Sequence, residues 1–168
     1  MKRILIAGIG NIFFGDDAFG CEVVRELASR KLPAEVTVKD FAIRSYDLAY
    51  ALVEDYDTII LVDAAPRGEA PGTTCEIEID LSRLPEFAPT MPDAHRMNPV
   101  TALQMAQAVG PVKAKIYLVA CEPATLEPHP GANYLSEPTR AAVPKAIEMI
   151  NELLERKLSE AKKVEVIA

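Results

Sequence analysis

Two adjacent carboxylates, Asp16 and Asp17, close a loop that reads Gly8-Ile9-Gly10-Asn11-Ile12-Phe13-Phe14-Gly15-Asp16-Asp17-Ala18-Phe19-Gly20. Adjacent carboxylates repel, and a bound cation relieves the repulsion. Acids in a first helical turn also complement the helix dipole and cap free N–H groups, although one suffices for that. The loop by itself leaves both readings open. A third acid, Asp63, follows a run of β-branched residues and Leu at 58–62 that reads as a central buried strand. The C-terminal edge of an open α/β sheet is where ligand sites form, and the loop after the first strand opens on that edge. Asp17 and Asp63 can therefore converge. His95 lies in Pro92-Asp93-Ala94-His95-Arg96-Met97-Asn98-Pro99, ahead of a helix, either as a solvated loop histidine or as a nitrogen ligand. Two carboxylates and one imidazole would make a mixed oxygen–nitrogen site with open positions, which suits a transition metal. Asp40 ends a second strand on the same edge, as a rim residue facing a partner or as a plain turn aspartate. His129, set between Pro128 and Pro130, reads as structural or surface.

Competing chemistries fail on detail. In a dinucleotide-binding G-x-G-x-x-G the third glycine would fall at Phe13. Two aspartates then open the helix, where a pyrophosphate needs bare N–H groups and no negative charge. A phosphoryl-accepting receiver domain has its paired acids directly after the first strand and a lysine ending the last. Here a long loop precedes the acids, and the last strand ends Ala120-Cys121-Glu122. A Cys121–His95 nucleophilic pair is geometrically conceivable, but nothing near Cys121 marks a lowered thiol pKa.

The elements that must position these residues alternate, as in α/β folds. Strands are expected at residues 2–7, 35–41, 58–62 and 115–120. Residues 73–79 follow the third strand too closely for a long crossover and should form an antiparallel edge strand. Helices are expected at 17–29, at 45–53 and at 99–109, the last capped by Asn98. A last helix runs to about residue 158 and either kinks or starts at Pro144. Residues 1–158 then form one domain, followed by a polar, frayed tail at 159–168.

One domain suits a chain of 168 residues with 49% apolar and 26% charged side chains. With 25 acidic against 18 basic residues the net charge is -7, and the pI is near 4.9. That balance disfavours nucleic acid and anionic membranes as partners. No apolar run reaches the ~20 residues of a membrane span, and a cytoplasmic, monomeric protein is expected. The three cysteines are too far apart for a metal knuckle and read as buried structural thiols. Cys21 falls in the first helix and Cys75 in the edge strand, leaving Cys121 as the thiol nearest the site edge.

With these residues assembled, the sequence resembles the hydrogenase maturation endopeptidase family. Gly8 through Asp17 matches the family's Gly-x-Gly-Asn-x-x-x-x-Asp-acid motif, and Val62-Asp63-Ala64 matches its second motif. His95 falls at its histidine, and Pro123 to Pro128 is similar to the stretch after its last strand. The resemblance covers roughly residues 1–155. It implies a three-layer α/β/α fold of the phosphorylase/hydrolase-like kind, with a mostly parallel five-stranded sheet and one antiparallel strand. It also implies an endopeptidase that removes a C-terminal peptide from the nickel-iron hydrogenase large-subunit precursor after nickel insertion. Asp17, Asp63 and His95 would then meet nickel supplied by the precursor. The metal could polarise the scissile carbonyl or acidify a bound water. It could instead report only that nickel is loaded, while an aspartate acts as general base, with Asp16 as that base or as support behind the ligands. A non-catalytic module that checks the metal without cutting is the alternative. Phe41-Ala42-Ile43-Arg44-Ser45 stands where many members carry a Gly-Gly-Thr-type stretch. The segment places Arg44, with Asp40, among residues expected to contact substrate.

Overall fold

β1 (Ile4–Ile9) and β3 (Thr58–Ala64) are buried at every residue, which a strand achieves only when both faces of its sheet are covered. The computed structural model describes residues 2–84 and 99–165. Within them the chain continues from β1 through a 3-10 turn (Gly15–Ala18), α1 (Phe19–Ala28), β2 (Val36–Ala42), α2 (Ser45–Leu52) and β3. It goes on through β4 (Thr74–Ile79), a short 3-10 turn (Leu81–Arg83), α3 (Pro99–Val109), β5 (Lys115–Cys121) and α4 (Glu137–Glu165). The five strands form one sheet in the order β2-β1-β3-β5-β4. All pairs are parallel except β4 with β5, which is antiparallel as expected for a strand that follows β3 so closely.

Strand alternation divides the core into two layers. Ile4, Ile6, Ile60 and Val62 pack with α1 and α4 through Val24, Leu27, Ile147 and Ile150. Leu5, Ala7, Ile59 and Leu61 pack with α2 and α3 through Leu48, Leu52, Leu103 and Ala106. The sheet is therefore covered on both faces, giving the three-layer α/β/α arrangement.

Two expectations need correction. The first helix does not start at Asp17. Residues 15–18 form a 3-10 turn, because the Asp17 N–H donates to the Phe14 carbonyl and the Asp16 N–H leaves the helix to donate to Thr125 O at 2.9 Å. The helical segment also does not end near residue 158. α4 runs from Glu137 to Glu165, so the helix takes in residues 159–165 as well. No glycine or proline interrupts the sequence after Pro144. Lys157 pairs with Glu160, and Lys2 Nζ donates to the Lys157 carbonyl at 3.0 Å, which ties this part of the helix to the start of β1. Pro144 lies inside the helix on its exposed face, where water can stand in for the missing N–H.

The chain leaves β1 toward β2 on one side and later reaches β3 on the other. The C-terminal ends of β1 and β3 thus flank the switch point of the sheet, where open α/β folds carry a crevice. Here α1 lies almost backbone to backbone on the strands. A Cβ on Gly20 would stand 2.1 Å from Val62 O and 2.3 Å from Ile9 O, and one on Gly8 would stand 2.5 Å from Gly20 O. No side chain fits between these backbones, so Gly20→Ala must force α1 off the sheet. We expect a loss of at least about 2 kcal/mol in urea unfolding, whereas Gly110→Ala, whose added carbon meets nothing nearer than Val53 at 3.8 Å and needs no positive φ, should stay within about 1 kcal/mol.

Candidate active site

Asp63 belongs to the last turn of the pleat in β3, paired with Ala120 of β5. It alternates with Val62 and Ala64, so it lies on the same face as Leu61, the face covered by α2 and α3. It is only 2% exposed. Its Oδ1 is buried and accepts no hydrogen bond among the described residues. Burial pushes the carboxyl well above the usual aspartate range, and the Asp17 charge pushes it further. A hydrogen bond from the Ala64 N–H opposes both only in part. A bare carboxylate oxygen in the interior is a costly arrangement unless something positive or a proton meets it.

Asp17 comes to this point from the 3-10 turn. Its Oδ2 accepts from the Asn11 N–H at 2.7 Å, so the first and last residues of the acid loop are tied by a charge-assisted bond. The loop closes this tightly only because Gly10 has φ +133, and a Cβ there would stand 1.8 Å from Asp17 O. The Asn11 side chain in turn accepts from the Phe13 N–H at 3.1 Å. The convergence of Asp17 with Asp63 expected from the sheet edge is therefore present, and it is close enough for one charge to shift the other's titration.

The two adjacent acids have different fates. Asp16 is fully buried and turned away from Asp63. Its Oδ2 accepts from Ala124 N at 2.7 Å, Thr125 N at 3.2 Å and Ser136 Oγ at 2.8 Å, and its Oδ1 accepts from Ser136 N at 2.7 Å. Burial alone would raise this carboxyl, but the bonds from Ser136, Ala124 and Thr125 outweigh it and hold it below the usual range. It caps no helix of its own. A carboxylate with four donors on it is a poor proton acceptor, so the geometry favours support over the role of general base.

Asp40 sits at the end of β2 with its Oδ1 accepting from Ala42 N at 2.9 Å. It also faces the Cys21 thiol, which lies 3.5 Å from Gly10 O. Burial first, then the charges of Asp40, Asp17 and Asp63, push that thiol up. Cys21 is thus the thiol beside the acids, a neighbour that the sequence reading missed in favour of Cys121. The signal was its spacing: Cys21 follows Asp17 by four residues, one helical turn. Cys121 lies in the α1–α4 core. Burial and the Asp16 charge push it up to about 11. Cys75 is only half-buried, against the expectation of burial, with the Arg67 guanidinium at its sulfur.

Arg44, expected among the substrate contacts, is exposed and held by local bonds at the end of β2. Its Nε donates to Phe41 O at 3.2 Å, its guanidinium also donates to Asp40 O, and Asp47 lies 3.8 Å away. It braces the end of β2, where Ala42 takes a positive φ of 49. His129 is structural, as read. Its N–H donates to Phe13 O at 2.8 Å, and its ring stacks on Tyr134 with centroids 3.9 Å apart. His95 and Asn98 lie outside the described residues. Among the described residues no three Asp, Glu, His or Cys side chains gather closely enough to hold an ion by themselves.

The fold is thus a mostly parallel α/β sheet that carries an acid pair at its switch point. The profile of the hydrogenase maturation proteases matches residues 21–153, and the chain belongs to that family. The hydrogenase expression/formation protein HupD of Rhizobium leguminosarum is 32% identical over 148 residues, spanning 87% of this chain and 71% of its own. The hydrogenase 2 maturation protease of Escherichia coli is 29% identical over 150 residues, spanning 88% of each chain. The solved structure of the hydrogenase maturating endopeptidase HybD from E. coli superposes with a TM-score of 0.74 at 25% identity, over 93% of this chain and 94% of that one.

The buried Asp63 carboxyl has a thermodynamic signature. Its folded pKa lies above the ordinary 3.8, so above that pH the native state retains a proton that the unfolded chain has lost. Stability then falls as pH rises toward the folded pKa. Asp63→Asn removes this slope. Urea unfolding should show the variant gaining on wild type as pH rises from 4 toward neutrality, with the gain vanishing below the ordinary value of 3.8; parallel curves would mean that Asp63 is ionised and compensated.

Proposed function

We propose that this chain is the endopeptidase that removes the C-terminal extension of a nickel-iron hydrogenase large-subunit precursor once nickel has been inserted. The observation that carries this reading is the buried, unpartnered Asp63 Oδ1 beside Asp17 at the switch point of the sheet. An acid pair of that kind is suited to receive a cation that arrives from outside. The family membership supplies the reaction class, and the names of its relatives tie that class to hydrogenase maturation.

In this reading nickel is part of the substrate, held by the precursor's own cysteines. Asp17 and Asp63 offer it oxygen atoms. His95 offers a nitrogen, and it precedes Pro99, the first residue of α3, which covers the face on which Asp63 lies. Nickel so held would polarise the scissile carbonyl or acidify a water. Cys21 does not supply a thiolate, because burial and the three carboxylates around it keep its proton in place. Asp63, held above the usual aspartate range by burial and the Asp17 charge, is a better proton acceptor than Asp16, which its hydrogen bonds hold below that range, and so is the better placed general base. Asp40, braced by Ala42 N and by Arg44, forms the rim on the β2 side. The protein acts in the cytoplasm as a monomer; no helix among the described residues is long and apolar enough to cross a membrane.

Incubation of the protein with apo-precursor, with apo-precursor plus nickel salt, and with nickel-loaded precursor tests the reading by mass spectrometry of the precursor's C-terminus. Loss of the extension is expected only with the loaded form. Binding without mass loss would instead support the metal-checking module, and equal cutting in all three would show that the metal is dispensable. With loaded precursor, Asp17→Asn, Asp63→Asn and His95→Ala should each lower cutting by at least about 10²-fold, with cooperative unfolding retained. Wild-type cutting by any one of them removes that residue from the site.

A further inference from the structure

The acid loop and the segment between β5 and α4 are closed on each other, and Asp16 is the centre of the closure. Besides the four bonds to its carboxylate, its N–H donates to Thr125 O at 2.9 Å. Earlier in the loop the Phe13 carbonyl accepts from His129 N at 2.8 Å and the Ile12 carbonyl from Asn133 N at 2.7 Å. Gly15 packs against the same strand of chain, where a Cβ would stand 2.9 Å from Thr125 O. The next residue, Asp17, turns the opposite way and accepts the Asn11 N–H. With its own side chain and N–H locked into residues 124–136, Asp16 leaves the backbone at residue 17 little freedom.

We infer that Asp16 is a positioning residue for the proposed cleavage. Its buried carboxylate clamps residues 124, 125 and 136 to the acid loop and thereby fixes where the Asp17 carboxylate stands relative to Asp63. It exchanges no proton with the substrate. This rests on the functional reading above, since it assigns Asp17 a part in the reaction. Asparagine is a poor replacement. It keeps one acceptor oxygen but turns an NH2 group toward backbone N–H donors, so at least one donor loses its partner.

The test uses the whole chain, labelled with nitrogen-15, and nickel-loaded precursor. In Asp16→Asn the Asn11 amide, which reports the bond to Asp17, should shift upfield and exchange with solvent at least about tenfold faster. The kcat for precursor cutting should fall about 10²-fold, as expected for a misplacement near 1 Å, with KM within about twofold of wild type. A role in stability alone would lower the unfolding midpoint and leave the Asn11 resonance in place. Ser136→Ala, which removes a single donor, keeps the test open if the asparagine variant fails to fold; it should move the Asn11 amide in the same direction and lower kcat about tenfold. An unmoved Asn11 amide overturns the inference whatever happens to cutting. So does a moved amide with unchanged kcat, or a change confined to KM. If wild type cuts no precursor the functional reading fails, and the Asn11 amide still decides whether Asp16 holds Asp17.

Discussion

Asp63 carries an oxygen that accepts no hydrogen bond among the described residues, at the end of a strand buried at every residue, with the charge of Asp17 beside it. Placing a carboxyl there costs free energy, either as a desolvated anion or as a proton held at a pH where water would remove it. The surrounding structure exists around that cost. α1 comes close enough to deliver Asp17 because Gly8 and Gly20 let backbone meet backbone. The acid loop turns because Gly10 adopts a conformation closed to other residues. A fold that wanted only stability would have an apolar residue at 63, like Leu61 and Val62 before it.

Neighbouring in sequence, Asp16 and Asp17 show how context divides one chemistry into two. Asp16 meets four donors and is held as a stable anion. Asp17 accepts from the Asn11 N–H and shares the field of a second carboxyl. The 3-10 turn makes the division possible, since its tighter winding sends consecutive side chains in directions about 120° apart. One acid can then face the loop after β5 while the next faces the sheet edge.

Much of this was legible in the residues. The alternation of apolar runs with amphipathic stretches was enough for the strands and helices, and the short distance from β3 to β4 was enough for the antiparallel edge. The convergence of Asp17 with Asp63 followed from where strand ends lie in such sheets. What was not legible depended on contacts far apart in sequence. Nothing near Asp16 shows that Ala124, Thr125 and Ser136 will donate to it. The helix pattern alone does not show that Arg44 will turn back on the end of β2. Cys21 was within reach of one-turn spacing from Asp17, but a thiol inside an apolar stripe reads as core. The continuation of α4 past Leu158 depends on Lys2 and on ion pairs, not on the hydrophobic period that marks the rest of the helix.

The bond from Lys2 to the Lys157 carbonyl, with Glu160 3.9 Å from the same amine, brings two remote parts of the chain together at the N-terminal end of β1. The acid cluster lies at the other end of that strand, roughly 20 Å away at about 3.3 Å per residue. The molecule is therefore polar in the geometric sense, with one pole for chemistry and the other for closure of the fold. A dye, a surface tether or a crosslink joined at residue 2 or 160 would hold the protein by the quiet pole and leave the acid cluster facing outward. Either position thus offers a handle for watching a large partner arrive in single-molecule work without standing in its way.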